Sequence, residues 1–198
     1  MKKTLALGFA LLASIAATGL ARASSWEIDG SHSSAQFSIK HLMVSNVRGE
    51  FSKVAGTLNL DDKDITKSSV DVSIDVNTIN TREAKRDAHL KSPDFFDAAK
   101  FPALTFKSKK VEKAGADKLK VTGDLTIHGV TKEVVLNVEG PTAEIKDPFG
   151  NAKRGATATT KINRKDFGLN WNKALEAGGV LVGEEVNITI DVELLKKK

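Results

Sequence analysis

Arg82, Arg86 and His89 stand at i, i+4 and i+7, a spacing that sets three side chains on one face of a helix. Two guanidiniums and an imidazole in a row suit a phosphate or the polar head of a lipid, because arginine's planar fork matches such oxygens. The structural alternative is that Arg86 pairs with Asp87, Asp94 or Asp97 and fastens the segment in place; that role is favoured for Arg86 and Asp87, and His89 fits either. The remaining chemistry is thin. His32, His41, His89 and His128 are too dispersed to form a local ligand motif and the chain has no cysteine, so no metal is expected. No nucleophile elbow, phosphate loop or glycine fingerprint occurs, and Ser31-His32 beside carboxylates is common by chance. No catalytic residue is assigned; the chain is expected not to be an enzyme and to need no cofactor.

The segment that carries these groups, residues 81–102, is where strand-like alternation stops. Ser92-Pro93-Asp94 reads as a second helix start, Ser92 capping and Pro93 in the first turn, with Phe95 and Phe96 one turn in. The segment is then either a lid on a barrel or a plug completing its core. On both sides the pattern has a period of two, clearest in 69–76, where Val70, Val72, Ile74 and Val76 alternate with Ser69, Asp71, Ser73 and Asp75. Between Phe51 and Val54 the parity slips, which reads as a β-bulge near Lys53. Leu104 and Phe106 begin a fourth strand that runs out into Lys107-Ser108-Lys109-Lys110, and Val186 to Leu194 alternate in the last one. About eight strands with short connections read as an all-β fold of one domain.

At the N-terminus, Met1-Lys2-Lys3, an apolar run from Leu5 to Leu20 and Ala21-Arg22-Ala23 follow the pattern of a secretory signal. The expected organisation is therefore a cleaved signal peptide, 1–23, and a single barrel domain, 24–198, in the periplasm. Without Lys2, Lys3 and Arg22 the 30 basic residues become 27 against 25 acidic ones, so the net charge falls from +5 to +2. Those charges are dispersed rather than gathered on a stripe, which argues against nucleic acid. With no cysteine, neither disulfides nor an acylated cysteine anchor can form.

Eight strands with one apolar face each hide that face most simply by closing into an antiparallel barrel, just wide enough to be filled by side chains or to hold one small ligand. Gly56, Gly123, Ala156 and Ala158 fall at inward positions and would leave volume unfilled, which favours a cavity. Its apolar lining would be Phe37, Ile39, Phe51, Leu58, Val72, Ile74, Val76, Phe95, Phe96, Leu104, Phe106, Leu125, Ile127, Ala158, Ile162, Ile188 and Ile190, with Arg82, Arg86 and His89 as a polar mouth. An apolar chain suits such a lining. The reverse arrangement, an outer-membrane barrel, wants aromatic girdles, and the chain has no tyrosine and two tryptophans.

Arg86-Asp87, His89-Leu90, Ser92 and Asp94-Phe95-Phe96-Asp97, then Phe101-Pro102 with Leu104 and Phe106, and Gly123 through Lys132, together resemble the YceI-like family of periplasmic polyisoprenoid-binding proteins. Asp147-Pro148-Phe149-Gly150 and Lys165-Asp166-Phe167-Gly168 fit its later segments. The resemblance implies an eight-stranded antiparallel lipocalin-like barrel with a helical insert, about residues 82–100, between strands 3 and 4. It further implies binding, transport or sequestration of an isoprenoid-type lipid or similar hydrophobic small molecule inside the barrel, with no stable membrane insertion. The sequence leaves a homodimer open. A lipid-modifying enzyme and a structural barrel with a filled core are the competing readings.

Overall fold

The computed structural model describes residues 23–176 and 178–197. Residues 1–22 of the segment read as an export signal, 1–23, lie outside the described residues.

The first barrel stave is made of two strands, β1 (Ser24–Ile28) and β2 (Ser34–His41), which run one after the other along the last strand of the chain. The second stave is β3 (Ser45–Phe51) followed by β4 (Val54–Leu60), and the third is β5 (Ser69–Asp75) followed by the short β6 (Ile79–Asn80). Phe51 and Val54 are both buried while Ser52 and Lys53 between them are exposed, so the slip in parity is a two-residue break in the stave. Helix α1 (Ala84–Lys91) follows the third stave.

Four more staves come from β7 (Ala103–Gly115), β8 (Lys118–Ile127), β9 (Val130–Glu139) and, after the short β10 (Ile145–Lys146), β11 (Ala152–Asn163). The eighth is β12 (Val182–Lys196), which pairs with β11 on one side and with β1 and β2 on the other. All pairings are antiparallel, and the ring closes through eight staves. The weakest seam joins β9 to β11 through three residue pairs, Thr157–Glu139 to Thr159–Asn137. Beyond them Thr160 Oγ1 donates to the Val135 carbonyl at 2.9 Å, and the 3-10 turn Arg164–Phe167 packs across the splayed strands.

The apolar faces point inward. On β5, Ile74 is buried and Val70 and Val72 partly so, while Ser69, Asp71 and Ser73 are largely outside. On β12, Val186, Ile188, Ile190 and Val192 face the interior. The core also holds Trp26, wholly buried and paired with Leu58 of β4 on one side and Lys196 of β12 on the other. The Arg154 guanidinium and the Lys196 ammonium lie 5.2 and 5.4 Å from the Trp26 ring, each presenting cation to aromatic face. No helix among the described residues is long and apolar enough to cross a membrane.

Two local readings need correction. The fourth strand does not end in Lys107 to Lys110; it continues to Gly115. A register shift between Ser108 and Lys110 inserts an extra residue there and turns Val111, instead of an even-numbered neighbour, into the interior. The expected second helix is also missing. Ser92 is the C-cap of α1, its N–H donating to the His89 carbonyl, and its own carbonyl accepts from Phe95 and Asp97. Residues 92–101 therefore form tight turns, because Ser92 is used to end one helix and not to start another.

Candidate functional site

The inward alternation of the staves encloses a cavity of about 530 Å³, within the range of small-molecule sites. Sixteen of the seventeen apolar residues expected to line it do so. The exception is Val76. The side chain of Asp75 accepts from Asn77 N–H and starts a 3-10 turn, Val76–Thr78, so the chain leaves the extended conformation one residue before the alternation ends. Val76 is wholly buried there, outside the cavity wall, with its N–H donated to the Pro102 carbonyl at 2.9 Å.

The small inward residues divide into two kinds. Ala156 and Ala158 line the cavity and give it room. Gly56 and Gly123 do not: a Cβ on Gly56 would run into the Asp71 carbonyl, and one on Gly123 would lie 2.5 Å from both the Lys107 carbonyl oxygen and Cζ of Phe106. Gly123 is covered by a phenyl ring, an arrangement that fills the gap a glycine leaves in a sheet.

The cover over one end is built from the insert. Glu83 caps α1, its carboxylate accepting from the N–H groups of Lys85 and Arg86. Since the helix begins at Ala84, the face shared by Arg86 and His89 does not reach back to Arg82. Arg82 is exposed, has φ of +65° and is not part of the cavity wall. Arg86 does line the cavity, but its guanidinium is held by Thr81: Nε donates to Oγ1 and a terminal nitrogen to the carbonyl, both at 2.7 Å. Asp87 accepts from the same threonine, from N–H at 2.8 Å and from Oγ1 at 2.5 Å. Arg86 and Asp87 are thus joined through buried Thr81, and among the described residues Arg86 makes no direct ion pair with an acid.

His89 also lines the cavity, with Nε2 2.8 Å from Asp94 Oδ2 and its ring edge-on to Phe95 and Trp171 at 5.0 and 4.9 Å between centroids. A second aromatic series, Phe37, Phe51 and Phe96, runs at 5.8 Å steps, tilted in the first pair and edge-to-face in the second. Phe95 and Phe96 face open volume. The insert is therefore a lid over a void and not a plug that fills it.

Arg164 and Trp171 on this side of the barrel went unanticipated. Arg164 follows Ile162 by two residues, so the inward alternation of β11 carried one step further would have found it. Its buried guanidinium donates to the carbonyls of Gly183 at 2.8 Å, Val182 at 3.4 Å and Leu169. Burial pushes its pKa down from the ordinary arginine value. Among the described residues no carboxylate lies within ion-pair distance of it. With exposed Lys40 and Lys85 and half-buried Arg86 also in the wall, and Glu83 as the acid there, the rim at the lid end is positively charged.

The remaining titratable cluster, Asp29, His32 and Glu193, already has a cation in it. Lys153 Nζ is 2.7 Å from Asp29 Oδ2 and from Glu193 Oε1. That ammonium, with Ser31 and His32, holds the Asp29 carboxyl far below the usual range, and the two acids hold Lys153 above the ordinary lysine range. Ser31 Oγ donates to Asp29 Oδ1 at 2.5 Å and lies 3.1 Å from His32 Nδ1, but that nitrogen is also 3.1 Å from Asp29 Oδ2, so the imidazole is engaged by the carboxylate and the group is an ion-pair network.

Comparison with known proteins places this architecture. The chain is 42% identical over 172 residues, 85% of its length and 89% of the relative's, to UPF0312 proteins of Vibrio cholerae. The crystal structure of the Campylobacter jejuni YceI protein superposes with a TM-score of 0.65 at 35% identity, covering 81% of this chain and 91% of that one. A polyisoprenoid binding domain from Saccharophagus degradans shares the fold, with a TM-score of 0.63 at 16% identity over 88% of this chain and 99% of that one. The sequence pattern of the YceI-like domain runs from residue 26 to residue 194, through every stave of the barrel and the lid between the third and fourth, and the chain belongs to the YceI-like family.

Proposed function

We propose that the protein binds a hydrophobic guest of the isoprenoid type inside the barrel and carries or sequesters it in the periplasm, after removal of residues 1–23. The observation that carries this reading is the apolar cavity of about 530 Å³ with positive charge confined to one end. A volume of that size lies within the range of small-molecule sites and suits a branched hydrocarbon chain. Apolar burial at roughly 25 cal/mol per Å² would drive entry, offset by the chain entropy lost on confinement.

The guest's polar head would lie under the lid, near Arg86, His89 and Arg164. Each of these groups is already held by Thr81, Asp94 or backbone carbonyls, which suits fixed recognition rather than proton transfer, and the protein is read as a binding protein. The polyisoprenoid binding domain of Saccharophagus degradans, on the same fold, supports the choice of guest. The test is expression with the leader intact, purification without detergent, organic extraction and mass spectrometry. A stoichiometric prenyl lipid is expected; repeated recovery of empty protein from cells rich in such lipids would count against the reading.

A further inference from the structure

The hairpin between β2 and β3 ends in Leu42-Met43-Val44, and the three side chains are 37%, 48% and 80% exposed. Leu42 and Met43 have φ of +51° and +59°, a backbone region that favours glycine and asparagine and disfavours branched or bulky side chains. A glycine or asparagine would be easier to accommodate here, yet the tip is aliphatic. The tip is tied to a neighbouring loop: Leu42 N–H donates to the Leu181 carbonyl at 2.8 Å, and Leu181 N–H to that of Lys173 at 2.9 Å. Lys40, two residues before the tip, and Lys85 of α1 are exposed and both line the cavity, and Lys173, tied to the tip through Leu181, is exposed as well.

We infer that this tip docks the barrel on a bilayer containing anionic phospholipid. Leu42, Met43 and Val44 enter the interface between headgroups and acyl chains, and Lys40, Lys85 and Lys173 face the phosphates. Two features select a lipid surface over a protein partner. Three side chains on one hairpin fall far short of the roughly 800 Å² per partner that a stable protein interface buries. Aliphatic groups with lysines at the same end of the molecule combine shallow insertion with attraction to negative headgroups. The docking is peripheral and salt-sensitive, and it brings the lid end of the cavity against the membrane, so that an apolar guest can move between bilayer and barrel without crossing water. This inference rests on the cavity being the guest's site.

The test uses mature protein and vesicles of phosphatidylethanolamine with phosphatidylglycerol, measured by co-sedimentation, beside uptake of the apolar fluorophore N-phenyl-1-naphthylamine. The double variant Met43→Asn, Val44→Ser keeps the backbone favourable, since asparagine tolerates positive φ, and touches no residue of the cavity wall. Its vesicle partition should fall by roughly tenfold, with fluorophore uptake and thermal midpoint retained. Equal partition of variant and parent, or a parent that takes up the fluorophore yet ignores the vesicles at low salt, overturns the inference while leaving the cavity reading intact. Vesicle binding with no fluorophore uptake would instead fault the cavity reading. A dimer that the double variant dissociates, without vesicle binding, would make the tip an interface between copies and also overturn it.

Discussion

Replacing Ala158 with phenylalanine tests whether the void is what the protein is for. Ala158 sits in the middle of β11, paired with Val138 and Ile190, and its methyl faces the cavity. A phenyl ring added there projects into the space a guest would use and displaces about six carbons of it. At about 0.8 kcal/mol for each buried CH2, the upper bound on lost guest affinity is about 5 kcal/mol. A flexible chain can slide past the ring, so about 2–3 kcal/mol, or roughly 30- to 150-fold in Kd, is the expected loss. Because the ring fills space instead of opening it, folding stability should change by less than about 1.5 kcal/mol. Fluorophore titration reads the affinity, organic extraction reads the native guest, and urea unfolding reads the fold. Unchanged affinity and guest content in a natively folded Ala158→Phe protein would refute the internal site, and a loss of stability matching the loss of binding would refute the claim that Ala158 borders empty space.

Other expectations follow from the same contacts. Gly123→Ala should destabilise the barrel by about 1–3 kcal/mol through collision with Phe106 and the Lys107 carbonyl, whereas an unaltered urea midpoint would mean the ring moves freely. Thr81→Val removes the hydroxyl shared by Arg86 and Asp87 and should cost about 1–3 kcal/mol; amide exchange in α1 should accelerate while that in β12 does not, and uniform acceleration would show that the lid is not a separate unit. Asp29 has a folded pKa below its unfolded value, so its contribution is complete above about pH 5 and is lost as pH falls through and below about 4. Lys153 has a raised pKa, so its share is complete below about pH 10 and is lost only as pH rises beyond that. Stability against pH measured by urea unfolding should therefore decline less steeply between about pH 5 and 2 in Asp29→Asn than in the parent, and parallel declines would remove Asp29 from the acid response.

The cavity was legible because period-two alternation is a direct record of which side of a strand faces inward. Phe37, Ile39, Ile188 and Ile190 could be placed by parity alone. Parity fails wherever the backbone leaves the extended form. Asp75 ends β5 by capping a turn, which removed Val76 from the wall, and the irregularity after Ser108 hid Val111 until the pairing with β8 was visible. The glycines were misleading for a related reason: an inward glycine looks like missing volume, but a ring from a neighbouring strand covers Gly123, and only the pairing geometry shows it. In the lid, the i, i+4, i+7 pattern correctly joined Arg86 to His89 but extended one turn too far, because Glu83 starts the helix after Arg82. Trp171 had no local signal at all; it reaches His89 and Phe95 from a loop some eighty positions away in sequence.

The last strand holds three seams at once, with β11, β1 and β2, and Trp26 at one end of the chain is paired with Lys196 at the other. Such long-range closure makes folding slow compared with a fold built from local contacts. It also fixes the order of events. Until the final fifteen residues of β12 are laid in place, the first and seventh staves have no common neighbour and the barrel has no enclosed interior. A chain that is still being made, or one cut short before β12, has strands and a helix but no container, and the capacity to hold a guest arrives in a single step with the last strand.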